Sequence, residues 1–175
     1  MSLFRSFYDI AGWISSLERR VSALERLEPV RIIAKYTSNT LQSIPNNAWT
    51  IVNFEDKVYD SHDTVTIGAS WKFTAPITGY YRVTAYILYT STTTWAESER
   101  ALLWLYENGT QHAELGRTVG LDSSGGSQYK GVGGSTAIYL AADEYIDVRT
   151  LQDSGAALTR ISDATSNYIN VELIG

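Results

Sequence analysis

The chain has 175 residues, a formal net charge of −5, 44% hydrophobic residues and no cysteine. An acidic chain without a stripe of Lys and Arg is not expected to bind nucleic acid, and no apolar run approaches the roughly 20 residues of a membrane-spanning helix. The lack of cysteine excludes a disulfide framework and a thiol nucleophile, and it fits a protein made in a reducing cytosol.

The first 28 residues predict a parallel coiled coil. Apolar residues recur every 3.5 positions, which places Phe7, Ile14 and Val21 at the a positions and Leu3, Ile10, Leu17 and Leu24 at the d positions. Such a seam is buried only against another copy of itself. Ser6 and Asp9 predict a capping box near the helix start, and Pro29 predicts that the helix ends at Glu28. The alternative is a single amphipathic helix that packs on its own domain.

Two sequence features disagree on the number of helices in the coil. A β-branched residue at a with Leu at d favours dimers. The segment from Arg20 to Glu25, with Val21 and Leu24 between them, resembles the Arg-h-x-x-h-Glu trimerisation signature of short coiled coils, in which h is a hydrophobic residue. Arg20 at g can reach the Glu25 carboxylate of a neighbouring chain at e. We favour the trimer because the signature uses six positions together.

Beyond Pro29 the hydrophobic period changes from seven to two, which predicts one all-β domain over residues 29–175. Thr64–Phe73 alternates cleanly, Arg100–Glu107 is apolar on both faces, and Asn108-Gly109 is a strong hairpin signal. Further strands are predicted at Ile32–Tyr36, Trp49–Phe54, Tyr80–Thr90, Gln111–Thr118, Thr136–Leu140, Tyr145–Leu151 and Tyr168–Ile174. About ten short strands with regular turns predict a sandwich or jelly roll.

Two segments are predicted to be loops from their composition, Ser91–Glu97 and Asp122–Ser135. They carry Trp95, Tyr129 and Lys130, whose side chains are candidate contacts for a sugar or a protein. The alternative is that these side chains are buried between subunits of an oligomer.

Candidate catalytic and metal-binding groups are few. The two histidines are His62 and His112, and the acidic segment Tyr59–Asp63 offers fewer oxygens than Ca²⁺ requires. We interpret this segment and Asp143-Glu144 as polar turns. No catalytic motif or phosphate loop is present, so we expect no enzyme activity, no cofactor and no metal.

The segment Trp71–Val83 resembles a motif of C1q-like domains. Its Phe73, Ala75, Pro76, Gly79 and Tyr81 follow the Phe-x-Ala-Pro-x-x-Gly-x-Tyr pattern. Weaker matches follow the order of the same family at Trp49–Phe54, Tyr59-Asp60, Leu103–Gly109, Ile138–Ile146 (where Ala142 replaces a glycine) and Tyr168–Ile174. The resemblance implies a C1q/TNF-like jelly roll over residues 30–175 that trimerises around a three-fold axis, in agreement with the helix signature.

The resemblance also implies a class of function. A short heptad stalk with a C1q-like head, without a collagen tract or a convincing signal peptide, resembles bacteriophage fibre, baseplate and decoration proteins. We therefore expect a non-enzymatic homotrimer of the virion, made in the host cytoplasm, that binds a host-surface glycan or protein without inserting into a membrane. The alternatives are a capsid decoration protein without host binding and, less favoured, a bacterial C1q-like adhesion module.

The N-terminal aromatic side chains have two interpretations. Phe4, Tyr8 and Trp13 either attach the stalk to other virion proteins or pack within the coil.

Overall fold

The computed structural model describes residues 3–25, 31–90, 95–120 and 129–175, with the side chains of residues 3–9, 11 and 23–25 outside that description. The chain divides into two compact units, residues 1–31 and residues 32–175. Each unit is described by itself below.

The described part of the first unit includes an α-helix, α1, which spans Leu3–Glu25. The predicted capping box is wrong, because α1 begins three residues before Ser6 and includes both Ser6 and Asp9. The predicted end at Glu28 lies outside the described residues. Among those residues, no helix combines the length and the apolar character that crossing a bilayer requires.

The second unit is an all-β sandwich, as predicted, and its first sheet has seven antiparallel strands among the described residues. These are β1 (Ile33–Thr37), β2 (Gln42–Ile44), β4 (Asp56–Asp60), β7 (Gly79–Thr90), β10 (Lys130–Leu140), β12 (Leu158–Arg160) and β13 (Tyr168–Leu173). The order is β2-β12-β7-β13-β1-β4. Strands β12 and β13 pair with different parts of one edge of β7, and β10 pairs along the opposite edge. The long strand β7 is therefore the centre of this sheet.

The second sheet has six antiparallel strands in the same described part of the chain. They are β3 (Thr50–Ile51), β5 (Val65–Thr66), β6 (Lys72–Thr74), β8 (Arg100–Glu107), β9 (Thr110–Val119) and β11 (Tyr145–Gln152). The order is β5-β6-β11-β8-β9, and β3 pairs with the far part of β11.

The turn between β8 and β9 confirms the predicted hairpin. Asn108 and Gly109 have φ values of 48° and 81°, and Glu107 pairs with Thr110 across the turn. Two positive φ values define the type I′ turn, whose twist matches that of paired strands. Strand β8 is also covered on both faces as expected, since Leu103 and Leu105 face the core while Leu102 and Tyr106 are buried on the opposite face.

The core lies between the two sheets. Strand β7 alternates as predicted, with Tyr81, Val83, Ala85, Ile87 and Tyr89 facing inward. The largest inward side chain is Trp71, whose ring meets Phe54 edge-on at a centroid distance of 5.5 Å. Burial of such large apolar side chains is the main favourable contribution to the stability of the sandwich.

Two strand predictions are wrong. The predicted strand Thr64–Phe73 is broken into β5 and β6 by a turn, where Gly68 has a φ of 93° and accepts a hydrogen bond from the Trp71 N–H at 2.9 Å. The predicted loop Asp122–Ser135 is strand from Lys130 onward, and its residues 122–128 lie outside the described part. The short strands β2, β4 and β12 were not predicted.

Candidate functional site

The outer face of the first sheet carries two pairs of tyrosine rings. At one end, Tyr80 of β7 and Tyr139 of β10 meet edge-on with centroids 5.2 Å apart. Further along β7, Tyr86 stacks on Tyr168 of β13 with centroids 6.1 Å apart and planes 18° apart. We call these four side chains, with the residues between them, the tyrosine face.

Polar side chains cross the tyrosine face between the two ring pairs. Arg82 forms an ion pair with Glu172 at 2.9 Å, and Thr84 shares a hydrogen bond with Ser135 at 2.8 Å. The strand register places each of these pairs side by side on neighbouring strands. The face therefore consists of polar side chains that bond one another, with a pair of aromatic rings on either side.

Glycines on β10 make room for the Tyr86–Tyr168 ring pair. A Cβ at Gly131 would overlap the Tyr86 hydroxyl, and a Cβ at Gly133 would lie 2.8 Å from Tyr86 Cδ2. Tyr86 therefore lies over bare backbone of β10 on one side and against Tyr168 on the other. This arrangement keeps the face flat, because the ring does not project from the sheet.

The composition of the tyrosine face suits contact with another protein. Tyr80 and Tyr139 are 55% and 53% exposed, although each carries a large apolar ring. Tyrosine and arginine are enriched at the centres of protein interfaces, and exposed apolar patches of this kind indicate interaction sites. Sequence alternation places these residues on the outward side of their strands, but it does not show that separate strands bring them together.

Two of the three predicted ligand contacts, Trp95 and Lys130, are buried rather than exposed in loops. Trp95 is 3% exposed, and its ring packs edge-on against Tyr89 in the core. The expectation that the Trp95 side chain is exposed in a loop is therefore wrong. Lys130 is buried, and it is the first residue of β10 rather than part of a loop. Tyr129 is 71% exposed and remains available for contact, apart from the tyrosine face.

Most of the predicted stalk residues are exposed where they are described. Ile10, Ile14 and Val21 are 50%, 44% and 49% exposed, and Leu17 is partly buried. Arg20 and Trp13 are also exposed. The side chains of Leu3, Phe4, Phe7, Tyr8, Leu24 and Glu25 lie outside the described residues. The coiled coil and the attachment role of the aromatics therefore stay predictions.

The acidic segment before β5 is a tightly bonded turn. The Asp60 carboxylate accepts hydrogen bonds from the backbone N–H groups of His62, Thr64 and Val65, at 3.2, 2.8 and 3.2 Å. It also accepts one from the Tyr36 hydroxyl, and burial, reinforced by this carboxylate, raises the pKa of Tyr36 to about 12. Among the described residues, no group of three acidic, histidine or cysteine side chains is arranged to hold a metal ion.

Comparison with known proteins identifies the fold of the head. No protein-family model and no curated protein sequence matches the chain. Solved structures do match: Eiger TNF from S. frugiperda has a TM-score of 0.61 at 13% identity and covers 83% of this chain and 93% of its own. The head is a C1q/TNF-like jelly roll.

Two further structures support the same fold. The globular domain of zebrafish complement 1qA has a TM-score of 0.55 at 15% identity, and it covers 82% of this chain and 98% of its own. Murine APRIL at pH 8.5 has a TM-score of 0.55 at 13% identity, with 82% and 99% covered. The fold implied by the Phe73–Tyr81 motif is therefore confirmed.

Proposed function

We propose that the protein is a non-enzymatic homotrimer that displays C1q/TNF-like heads on a short coiled-coil stalk, as a virion fibre used in host adsorption. The observation that carries this proposal is that one chain leaves two separate apolar surfaces exposed. One includes Ile10, Ile14 and Val21 of the predicted heptad seam in α1, and the other consists of the aromatic rings of the tyrosine face.

The stalk supports assembly because its helix lacks sufficient stability alone. An isolated helix of this length is marginal in water, and the half-exposed Ile10, Ile14 and Val21 gain stability only when they are buried. Full burial of a Val or Ile side chain contributes about 1.5–3 kcal/mol. Arg20 is exposed at the edge of the seam, where it can meet the Glu25 carboxylate of a neighbouring helix.

The head supports the same assembly with a different surface. The tyrosine face offers aromatic area, and the polar side chains between its rings already bond one another in the Arg82–Glu172 and Thr84–Ser135 pairs, so burying those pairs leaves few of their groups unsatisfied. The trimer is the assembly that the C1q-like resemblance implies. Three heads on one axis bind a repetitive surface with avidity, even where each contact is weak.

Light scattering of the full chain tests the assembly. We expect a mass of about 58 kDa, three times the 19.4 kDa of one chain. Val21→Asp places an unpaired charge in the seam, and Tyr139→Glu places one on the tyrosine face, so each should shift the mass toward that of the monomer at micromolar concentration. Ile67→Glu is the matched control, because Ile67 is exposed on a turn of the other sheet. A wild-type mass of 19.4 kDa would refute the proposal.

Binding assays test the adsorption role. The labelled full chain should sediment with cells of a susceptible bacterium, and the monomeric variants should sediment far less. Binding to empty phage capsids without binding to cells would favour the decoration alternative. Depolymerisation of a host polysaccharide by the purified protein would contradict the non-enzymatic proposal.

A further inference from the structure

The second sheet contains a cleft on its outer side. It lies beside β11, at the point where the strand paired with β11 is no longer β6 but β3. Tyr145 and Ile146 pair with β6, whereas Arg149 and Thr150 pair with β3. The cleft has a volume of about 240 Å³ and opens between the two short strands. It is lined by Ile51, Ser70, Trp71, Lys72, Tyr145, Asp147 and Arg149.

One wall of the cleft holds a fixed guanidinium group. Arg149 Nε and Nη2 donate to the two carboxylate oxygens of Asp147 at 2.7 and 2.9 Å. The guanidinium carbon also lies 4.0 Å from the centre of the Tyr106 ring. The Asp147 side chain is almost fully buried, and its hydrogen bonds hold the pKa of Arg149 above its ordinary value. Arg149 cannot turn away without leaving a buried carboxylate unpaired. Its Nη1 has no hydrogen-bond partner among the described residues, so it can bind a ligand at low entropic cost.

The other wall carries an ammonium group without a carboxylate partner in the described part of the chain. Lys72 Nζ lies 4.9 Å from the centre of the Tyr145 ring. A cation–π contact weakens neither the charge nor the hydrogen-bonding capacity of an ammonium group. Lys72 is therefore poised to meet an anion inside the cleft.

The charges and the size of the cleft limit what it can hold. Two cations and one carboxylate give a local charge of +1 in a chain whose net charge is −5. Its volume is below the roughly 300 Å³ at which pockets for drug-sized molecules begin. A phosphate monoester, with a charge of about −1.5 to −2 at pH 7, would face the Asp147 carboxylate with charge left uncompensated. One singly charged group of small size matches the cleft best.

We propose that this cleft binds one sugar unit that carries a carboxylate, such as a uronic acid of a surface polysaccharide. The carboxylate would lie between Lys72 and Arg149, and the sugar hydroxyls would reach the exposed Ser70. The inference rests on the proposed function, because it names the class of host ligand. The cleft lies on the opposite side of the sandwich from the tyrosine face, so trimer formation through that face leaves it open.

Three monosaccharides that differ at one carbon test the proposal. The full chain is titrated with glucuronic acid, glucose and glucose 6-phosphate, and binding is followed by ligand-detected NMR and by the indole resonance of Trp71 in the floor of the cleft. We expect glucuronic acid to bind at least about tenfold more tightly than glucose, as a charge-assisted hydrogen bond implies. It should also bind more tightly than glucose 6-phosphate, whose additional charge is left uncompensated beside Asp147.

Variants at one lysine locate the interaction. Lys72→Gln should weaken glucuronic acid binding about tenfold, and Lys72→Arg should retain it. Lys57→Gln removes the same charge from a distant exposed strand and should have no effect. Equal binding of glucose, tighter binding of the phosphate, or full binding by Lys72→Gln would overturn the inference. If the protein is trimeric and sediments with cells but does not bind glucuronic acid, this inference is wrong while the proposed function stands. A monomeric chain refutes the proposed function itself.

Discussion

Two glycines of β10, Gly131 and Gly134, should differ in how much stability their replacement by alanine costs. The new Cβ meets a side chain at the first position and backbone at the second. Neither Gly131 nor Gly134 has a positive φ, so alanine can adopt either backbone conformation. At Gly131 the new Cβ would overlap the Tyr86 hydroxyl, which is the end of a side chain that can rotate. At Gly134 it would overlap the backbone carbonyl oxygen of Leu115 in β9, which the sheet holds in place. The second substitution should therefore cost far more stability.

The magnitudes follow from the contacts. Gly131→Ala loses the Tyr86–Tyr168 stacking, about 0.5–1.5 kcal/mol, and regains about 0.4–1 kcal/mol from the lower entropy of the unfolded chain, so its net effect is small. Gly134→Ala meets an overpacking cost of about 1–3 kcal/mol with the same gain, which leaves a clear destabilisation.

Urea unfolding followed by tryptophan fluorescence measures both effects, at one protein concentration because assembly contributes to apparent stability. The double variant Tyr86→Ala/Gly131→Ala is the control, and it should be no less stable than Tyr86→Ala alone. Equal destabilisation by Gly131→Ala and Gly134→Ala, with no relief in the double variant, would refute the packing of Tyr86 over β10.

Three further predictions concern hydrogen bonds of the head, each measured by urea unfolding. Tyr89→Phe should cost about 1 kcal/mol, because it removes the buried hydroxyl that bonds Thr150. Asp60→Ala should cost about 2 kcal/mol, since three backbone N–H groups lose their acceptor; an unchanged midpoint would contradict that role. Hydrogen bonds, above all from Ser166, hold the pKa of Asp163 below its ordinary value, so its contribution to stability is present above the unfolded-chain pKa and is lost as the pH falls through the folded pKa. Asp163→Asn should therefore flatten the loss of stability between about pH 5 and pH 3, and an unaltered pH profile would rule this out.

Much of the head could be predicted from local sequence signals. The alternation along Tyr80–Thr90 and the Asn108-Gly109 turn depend on neighbouring residues alone, and the structure confirms both. The same reasoning failed for Thr64–Phe73, where the alternation continues through the turn at Gly68 and Ile67 is exposed. Val65 pairs with Phe73 and Thr66 with Lys72, so five residues form the turn. An odd number keeps paired residues in phase with a period of two, so the pattern alone does not reveal the break.

The remaining errors arise from contacts between distant segments. The glycines at the start of β10 predict a loop by propensity, but they are required where Tyr86 and β9 approach closely. Trp95 lies among polar residues in the sequence, yet its ring reaches the core beside Tyr89. The tyrosine face depends on the register of β7 with β10 and β13, which no local pattern specifies.

The pairing of β1 with β13 brings the first and the last residues of the unit 32–175 close together. Ile33 lies opposite Glu172, and the Leu173 N–H donates to the Ile32 carbonyl oxygen at 2.9 Å. A short linker would close residues 32–175 into a ring at little entropic cost, and the ring could be reopened at the Asn108-Gly109 hairpin. Circular permutation of this kind would move the chain ends from the first sheet to the second, because Asn108-Gly109 joins β8 to β9, while leaving every sheet pairing intact.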